Sequence, residues 1–233
     1  MATAPARKKK TPAAATPAAV PPRAPRPDGQ ATRQHLLETA GLVFAERGFA
    51  EATSKEICAR AGTPMASVNY HFGSREALYE AVLIEAHRQV VDLQELAQLT
   101  DLPGATAKKR LRAVLSHLIG LATRSSTPWG FPVILREVLS PSPAVPALVE
   151  KALRPKAKLM LGLLGEVLGL PADHPAVQRA LAFALLPCLV ILVVPKQVSS
   201  RVLPAIGKDS EGLEEELLRY VMGGLEAMAK AAR

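Results

Sequence analysis

The stretch that most restricts the fold is Thr53 to Phe72, TSKEICARAGTPMASVNYHF, because its residues prescribe two short helices joined by a tight turn. Thr53 is a capping residue and Glu56, three positions on, completes a capping box: hydroxyl to a backbone N–H of the first turn, carboxylate back to the cap. Ile57 and Ala61 lie one turn apart as an inward stripe, and Gly62 tolerates the positive φ at which a helix can stop and turn sharply. Thr63-Pro64 is a restart signal, a capping hydroxyl followed by a ring that fits the first helical position. Along the second helix Met65, Val68 and Phe72 are spaced to face the core, which leaves Ala66, Ser67, Asn69, Tyr70 and His71 pointing elsewhere. That outward set is small or polar. Small residues let a helix approach a surface closely, and an amide, a phenol and an imidazole hydrogen-bond to base edges or phosphates. Two helices around a glycine turn, with such a second face, fit the helix-turn-helix that docks in the DNA major groove; a plain helical corner is the alternative from spacing alone.

The flanks extend the pattern through Thr32-Arg33, Leu36-Leu37, Ala40, Phe44-Ala45 and Arg47-Gly48-Phe49 before it, and Gly73-Ser74-Arg75-Glu76-Ala77-Leu78 after it. Read together, these residues resemble the amino-terminal DNA-binding domain of the TetR/AcrR family of bacterial transcriptional regulators. The resemblance implies an all-α homodimer that binds a palindromic operator, usually represses, and releases DNA when a small molecule enters its second domain. It also implies DNA-facing positions at Thr53, Ser54, Thr63, Met65, Ala66, Asn69, Tyr70, His71 and Arg75. Arg33, a basic residue near the amino end of the preceding helix, is read separately as a phosphate contact. Met65-Ala66 departs from relatives with a polar or basic residue and a glycine there, so base preference does not carry over.

The first 29 residues are of another material. Closely spaced prolines and the absence of an aromatic residue argue for a disordered basic arm, partly of polyproline type. Its charge is +5, that of residues 31–90 is −1, and the rest carries +4 of the total +8, so the positive charge is not concentrated on the helix-turn-helix. The arm is read either as a loose electrostatic contact to the DNA backbone or as a solvated tail without a role. Its prolines oppose the amphipathic helix of a transit peptide, and no apolar run marks secretion.

Leu36, Leu37, Ala40, Val43 and Phe44 make one helical face from Ala31 onward, closed by Gly48, and residues 30–90 form the expected DNA-binding domain. Ser74 caps a long helix running past His87, the natural lever between domains, until a break at Leu102-Pro103-Gly104. Residues 91–233 read as an all-helical effector-binding and dimerisation bundle: a helix around Leu111 to Ala122 with Lys108-Lys109-Arg110 as a solvated side, one carrying Val133, Ile134, Glu137 and Val138, and one from Ala144 to Leu168 bent at Pro155. The apolar run Ala180 to Val194 is too short to span a membrane comfortably and reads as a helix buried on several sides, at the centre of the helical domain or at a subunit interface. A last helix, about Glu211 to Ala232, has glutamates at its start and basic residues at its end, as the helix dipole favours. The segments Leu135 to Ala144 and Leu168-Gly169-Leu170-Pro171 resemble a TetR subgroup with a CerR-type carboxy-terminal domain, and by family resemblance the helices of 176–194 and 211–231 are assigned to dimerisation.

An effector pocket is expected to draw on Trp129, Phe131, Phe183, Met160, Leu118 and Cys188 as apolar lining, with His117, Arg124 or Arg136 as polar handles, and to suit an apolar or aromatic molecule. Cys58 and Cys188 match no metal or redox spacing and read as buried thiols of a reducing cytoplasm. The five histidines are scattered, and no nucleophile elbow, phosphate loop or dinucleotide fingerprint occurs, so neither an enzyme nor a bound metal or cofactor is expected. The competing readings are a helical DNA-coating protein of low sequence preference and a small-molecule binding protein with a vestigial helix-turn-helix.

Overall fold

Leu36, Leu37, Ala40, Val43 and Phe44 are all buried, and the helix that carries them, α1 (Pro27–Glu51), starts earlier than the sequence suggests and is interrupted at Gly48, where φ is 77°. The computed structural model describes Met1 and residues 27–123, 128–193, 201–202, 205–206 and 210–231; most of the expected basic arm, and Arg124, lie outside them. Every regular element among these residues is helical. After α1 come α2 (Ser54–Arg60), α3 (Ser67–Phe72) and α4 (Arg75–Val90), then α5 (Leu93–Thr100), α6 (Ala107–Thr123) and α7 (Gly130–Leu139). A short α8 (Val145–Leu148) runs through a π-helical turn (Val149–Leu153) into α9 (Arg154–Leu168), followed by α10 (Pro175–Val193) and α11 (Ser210–Ala231).

Two hydrophobic cores result. The carboxy-terminal one joins Leu96 of α5, Leu115 and Ile119 of α6, Leu164 of α9, Ala184 of α10, and Leu218 and Leu225 of α11. The amino-terminal one is built on α1, α2, α3 and α4, yet it is completed by Val133 of α7, Leu148 of α8 and Ala152 of the π turn. α7 lies directly on α4: a Cβ on Gly130 would stand 2.6 Å from the Ala86 Cα, and the Gly130 N–H donates to Gln89 Oε1 at 3.1 Å. Glu137, nearly fully buried on the same face, accepts from the Tyr79 hydroxyl (2.7 Å), the Ser142 N–H (2.8 Å) and the Ser142 hydroxyl (2.9 Å). A buried carboxylate is tolerable only when so fully bonded. Arg136 donates from Nε to Ala45 O and from Nη2 to Glu46 O, both at 2.9 Å, and so satisfies carbonyls near the interruption of α1.

The structure corrects several expectations. The Thr53 hydroxyl does accept from the Glu56 N–H at 3.2 Å, but the Glu56 carboxylate turns to Arg60 (2.8 Å) and Arg47 (3.6 Å) instead of returning to the cap. α3 begins at Ser67, not Pro64, and Thr63 is no cap: its Oγ1 is buried without a hydrogen-bond partner. Residues 64–66 are therefore outside the helical register, so Met65 is 61 % exposed while Ser67 is buried. The long helix past His87 ends at Val90, and Asp92 caps a separate α5 by accepting from the Gln94 N–H at 2.8 Å. Pro155 lies in the first turn of α9, and the irregularity expected there is the π turn just ahead of it. α10 is buried along one stripe, Ala176, Val177, Ala180, Ala184 and Cys188; Phe183, Leu186 and Val190 are exposed. Lys108 and Lys109 are exposed, as a solvated face requires, and of that basic run only Arg110 turns in, toward Thr100 O and Glu166.

At the end of α4, Lys156 Nζ donates to the His87 carbonyl at 2.7 Å, while burial, helped by the Lys156 ammonium, holds the His87 imidazole down at about 4. A histidine less basic folded than unfolded leaves the folded state intact at neutral pH and costs stability as pH falls below the unfolded value of about 6.5. Stability should therefore drop by about 2 kcal/mol between pH 6.5 and 5 from this group, and in urea titrations His87→Gln should flatten that drop; an identical slope in the variant would contradict it. Gly130→Ala should lower stability by about 1–3 kcal/mol, because the methyl meets backbone rather than a yielding side chain. An unchanged midpoint would show that α7 does not pack on α4 as described.

Candidate nucleic-acid interface

The outer face of α2 and α3 rests on a well-fixed base. Ile57, Cys58 and Val68 are buried beneath it, and α2 hands over to α3 through Gly62, whose φ of 62° lets Thr63 N–H return to Cys58 O at 3.0 Å. His35 Nε2 lies 3.2 Å from Ala61 O and ties α1 to the turn. On the solvent side Asn69 is exposed, Tyr70 is 84 % exposed, and its ring meets His71 edge-on with centroids 4.8 Å apart. Met65 and Ala66 are exposed ahead of them, and Thr53 and half-buried Ser54 stand at the start of α2. Thr53 accepts as a cap, which leaves its O–H to donate outward.

Two residues differ from this group. Arg75, expected to face DNA, turns inward: Nη1 donates to Phe49 O at 3.0 Å and to Ala52 O at 2.7 Å, and its guanidinium lies 4.3 Å from the centre of the Phe49 ring. It holds the end of α1 against α4, a role that the motif spacing does not announce. Thr63, with its oxygen buried, offers no hydroxyl to a duplex. Arg33 stays exposed at the start of α1, stacked 4.5 Å above Phe72 at the end of α3. Lys55, absent from the expected set, is exposed in the first turn of α2 beside Thr53 and Ser54. A lone positive charge just after a cap was its only signal. Arg60 on the same helix is tied to Glu46 (2.6 Å) and Glu56, so Arg33 and Lys55 are the cations best placed to meet phosphate.

The expected effector residues do not converge on one cavity. Trp129 packs on Gly41 and Arg136 on the carbonyls of α1, both at the amino-terminal core, and Phe131 is buried at the start of α7. His117 pairs with Glu95 at 3.1 Å, and Phe183 is exposed on α10. Cys188 joins Leu118 and Met160, but as packed core, where burial pushes its thiol up to about 11. Cys58 is buried as well. Among the described residues no cluster of His, Cys, Asp and Glu could hold a metal ion.

Comparison with known proteins finds two family matches on separate stretches of the chain. Residues 36–82 match the family of bacterial regulatory proteins, tetR family, and residues 107–228 match the C-terminal domain of the HTH-type transcriptional dual regulator CecR. The carboxy-terminal likeness is thus to CecR, where the sequence suggested a CerR-type domain. The chain is 28 % identical over 173 residues to CecR of Shigella flexneri, covering 67 % of this chain and 77 % of that protein. It is 34 % identical over 58 residues to the regulator UidR of Escherichia coli, which covers 25 % of this chain and 30 % of that one. A TetR-like transcriptional regulator from Rhodococcus sp. RHA1 superposes with a TM-score of 0.59 at 19 % identity, over 88 % of this chain and 99 % of that one. FadR from Bacillus subtilis, in complex with stearoyl-CoA, does so with a TM-score of 0.58 at 20 % identity, over 82 % and 98 %. The two structures support the fold, and the two family matches, falling on the helix-turn-helix and on the bundle that follows it, give the identity: the chain belongs to the TetR family of DNA-binding transcriptional regulators, with a CecR-type carboxy-terminal domain.

Proposed function

We propose that this regulator is a cytoplasmic homodimeric repressor that seats α2 and α3 of each subunit on one half of a palindromic operator and leaves it when a small molecule binds. The observation that carries the reading is the outward face of α3: Asn69 and Tyr70 are solvent-exposed on a helix whose other side is locked into the core. A flat amide can pair with adenine in the major groove and a phenol can reach phosphate. Lys55 and Arg33 add charge at the edges.

Dimerisation is supported by α10 and α11. Phe183, Leu186, Val190 and Tyr220 are exposed there, beside a groove of about 570 Å3 between the two helices. Gly223 and Gly224 have open space where a side chain would stand, so a helix from a second copy can approach closely. A row of exposed apolar side chains on two adjacent helices is the surface that two-fold symmetry buries most economically. No helix among the described residues is long and apolar enough to cross a membrane. The FadR relative holds stearoyl-CoA, and a small-molecule effector is the corresponding proposal here.

Tyr70→Ala should weaken binding to every duplex by about tenfold, through a lost phosphate contact, when anisotropy titrations are run at one fixed salt concentration. Asn69→Ala should instead lose about 1–3 kcal/mol of discrimination at a single base pair of each half-site. Unaltered affinity in both variants would remove α3 from the interface. Val190→Glu should shift the sedimentation of the free protein toward a single chain; a dimer as stable as the parent would place the contact elsewhere.

A further inference from the structure

A cavity of about 410 Å3 opens where α1 breaks, between Gly48-Phe49 and the loop from Ser140 to Pro143 that follows α7. That volume is within the range of small-molecule pockets. Its walls are of two kinds. Phe49, Pro141, Pro143 and Leu139 are apolar, and Leu139, at 76 % exposed, is a large side chain left uncovered by the described residues. Arg47 and Arg136 supply the charge, and no carboxylate lines the space. Glu137, whose partners Tyr79 and Ser142 line the space, is buried and already bonded to both.

Both arginines keep donors in reserve. Arg136 commits Nε and Nη2 to Ala45 and Glu46, whereas Nη1 makes no hydrogen bond among the described residues and would lie 3.7 Å from a Cβ on Gly48. Arg47 is exposed and makes one long ion pair, 3.6 Å, with Glu56 of α2. Two guanidinium groups with unfilled donors beside an apolar cleft complement a carboxylate carried on an apolar body. We infer that this junction is a binding site for small amphipathic carboxylates. The carboxylate meets Arg47 and Arg136 Nη1, and the apolar body lies against Phe49 and Leu139. Occupancy draws Arg47 away from Glu56, which loosens α2 from α1 next to the Thr53 cap. This gives the effector proposed above a chemical class and a place; it rests on the regulator reading only for the consequence on DNA.

The test is calorimetric titration of the full chain, without DNA, using 4-phenylbutanoate as the probe and 4-phenylbutanol as its uncharged counterpart. The acid should bind at least about tenfold more tightly than the alcohol, and Leu139→Glu, which puts a like charge at the exposed mouth, should weaken the acid by at least about tenfold. Arg47→Gln should weaken it as well, and Leu102→Glu, on the α5–α6 turn, should leave it within about twofold. No heat with the acid, equal affinity for the alcohol, or full affinity in Leu139→Glu would overturn the site. Adding the acid to a preformed complex with selected DNA then reads the coupling separately: release supports it, and an unaltered complex with the site still occupied overturns the link to DNA alone.

Discussion

The hydrogen bond from Tyr79 to the buried Glu137 carboxylate is the contact on which the rest of the molecule depends, because it fastens α7 to the helix that supports the DNA-facing pair. Desolvation and that bond push the Tyr79 phenol well above its ordinary value, so the proton stays on tyrosine and the donor is permanent. Around it Phe44, Phe49 and Tyr79 pack with centroids as close as 4.7 Å, and Arg136 and Arg75 tie the end of α1 from two sides. The helix-turn-helix core is therefore not self-contained. Val133, Leu148 and Ala152, from beyond residue 130, fill part of it.

That borrowing has a functional consequence. α4 reaches into both cores, with Leu78 and Val82 in one and Val90 against the other, and α7 runs beside it. A rearrangement in the bundle thus meets the reader through two helices and not through one connecting rod. Lys151 to Glu80 (2.5 Å) and Lys156 to the His87 carbonyl add polar ties from the π turn and α9 to α4. Well-packed elements move as units, so small shifts at these ties become changes in the position of α2 and α3 relative to the bundle.

Much of this was legible in the sequence where local rules decide. The Thr53 and Ser74 caps, the Gly48 and Gly62 turns and the inward stripe of α1 each follow from residue chemistry and spacing. Elsewhere the local signal was overridden. Met65 matched a helical period but precedes the first helical residue, so the period did not apply to it. Arg75 and Arg136 each satisfy carbonyls contributed by the α1 segment, distant in sequence, a task that motif spacing does not mark. Glu137 and Tyr79 are 58 positions apart, and nothing local marks them as partners. The expected effector residues are scattered for the same reason: Trp129 and Phe183 were grouped by character, and the topology packs Trp129 at the amino-terminal core and leaves Phe183 exposed on α10. The apolar run of α10 suited the centre of the bundle or a subunit interface alike, because an apolar run does not state which of its side chains the same chain covers.

The central claim is that two copies of this helix-turn-helix, each braced by its own α7, select one DNA sequence. It is tested most directly by selecting bound duplexes from a random pool and comparing the affinity of the best one with that of a scrambled duplex of equal length at about 0.15 M salt. A preference of at least about a thousandfold, with two chains on a two-fold symmetric site, is the result predicted. Equal affinity for both duplexes would contradict it and leave a protein that coats DNA without reading it.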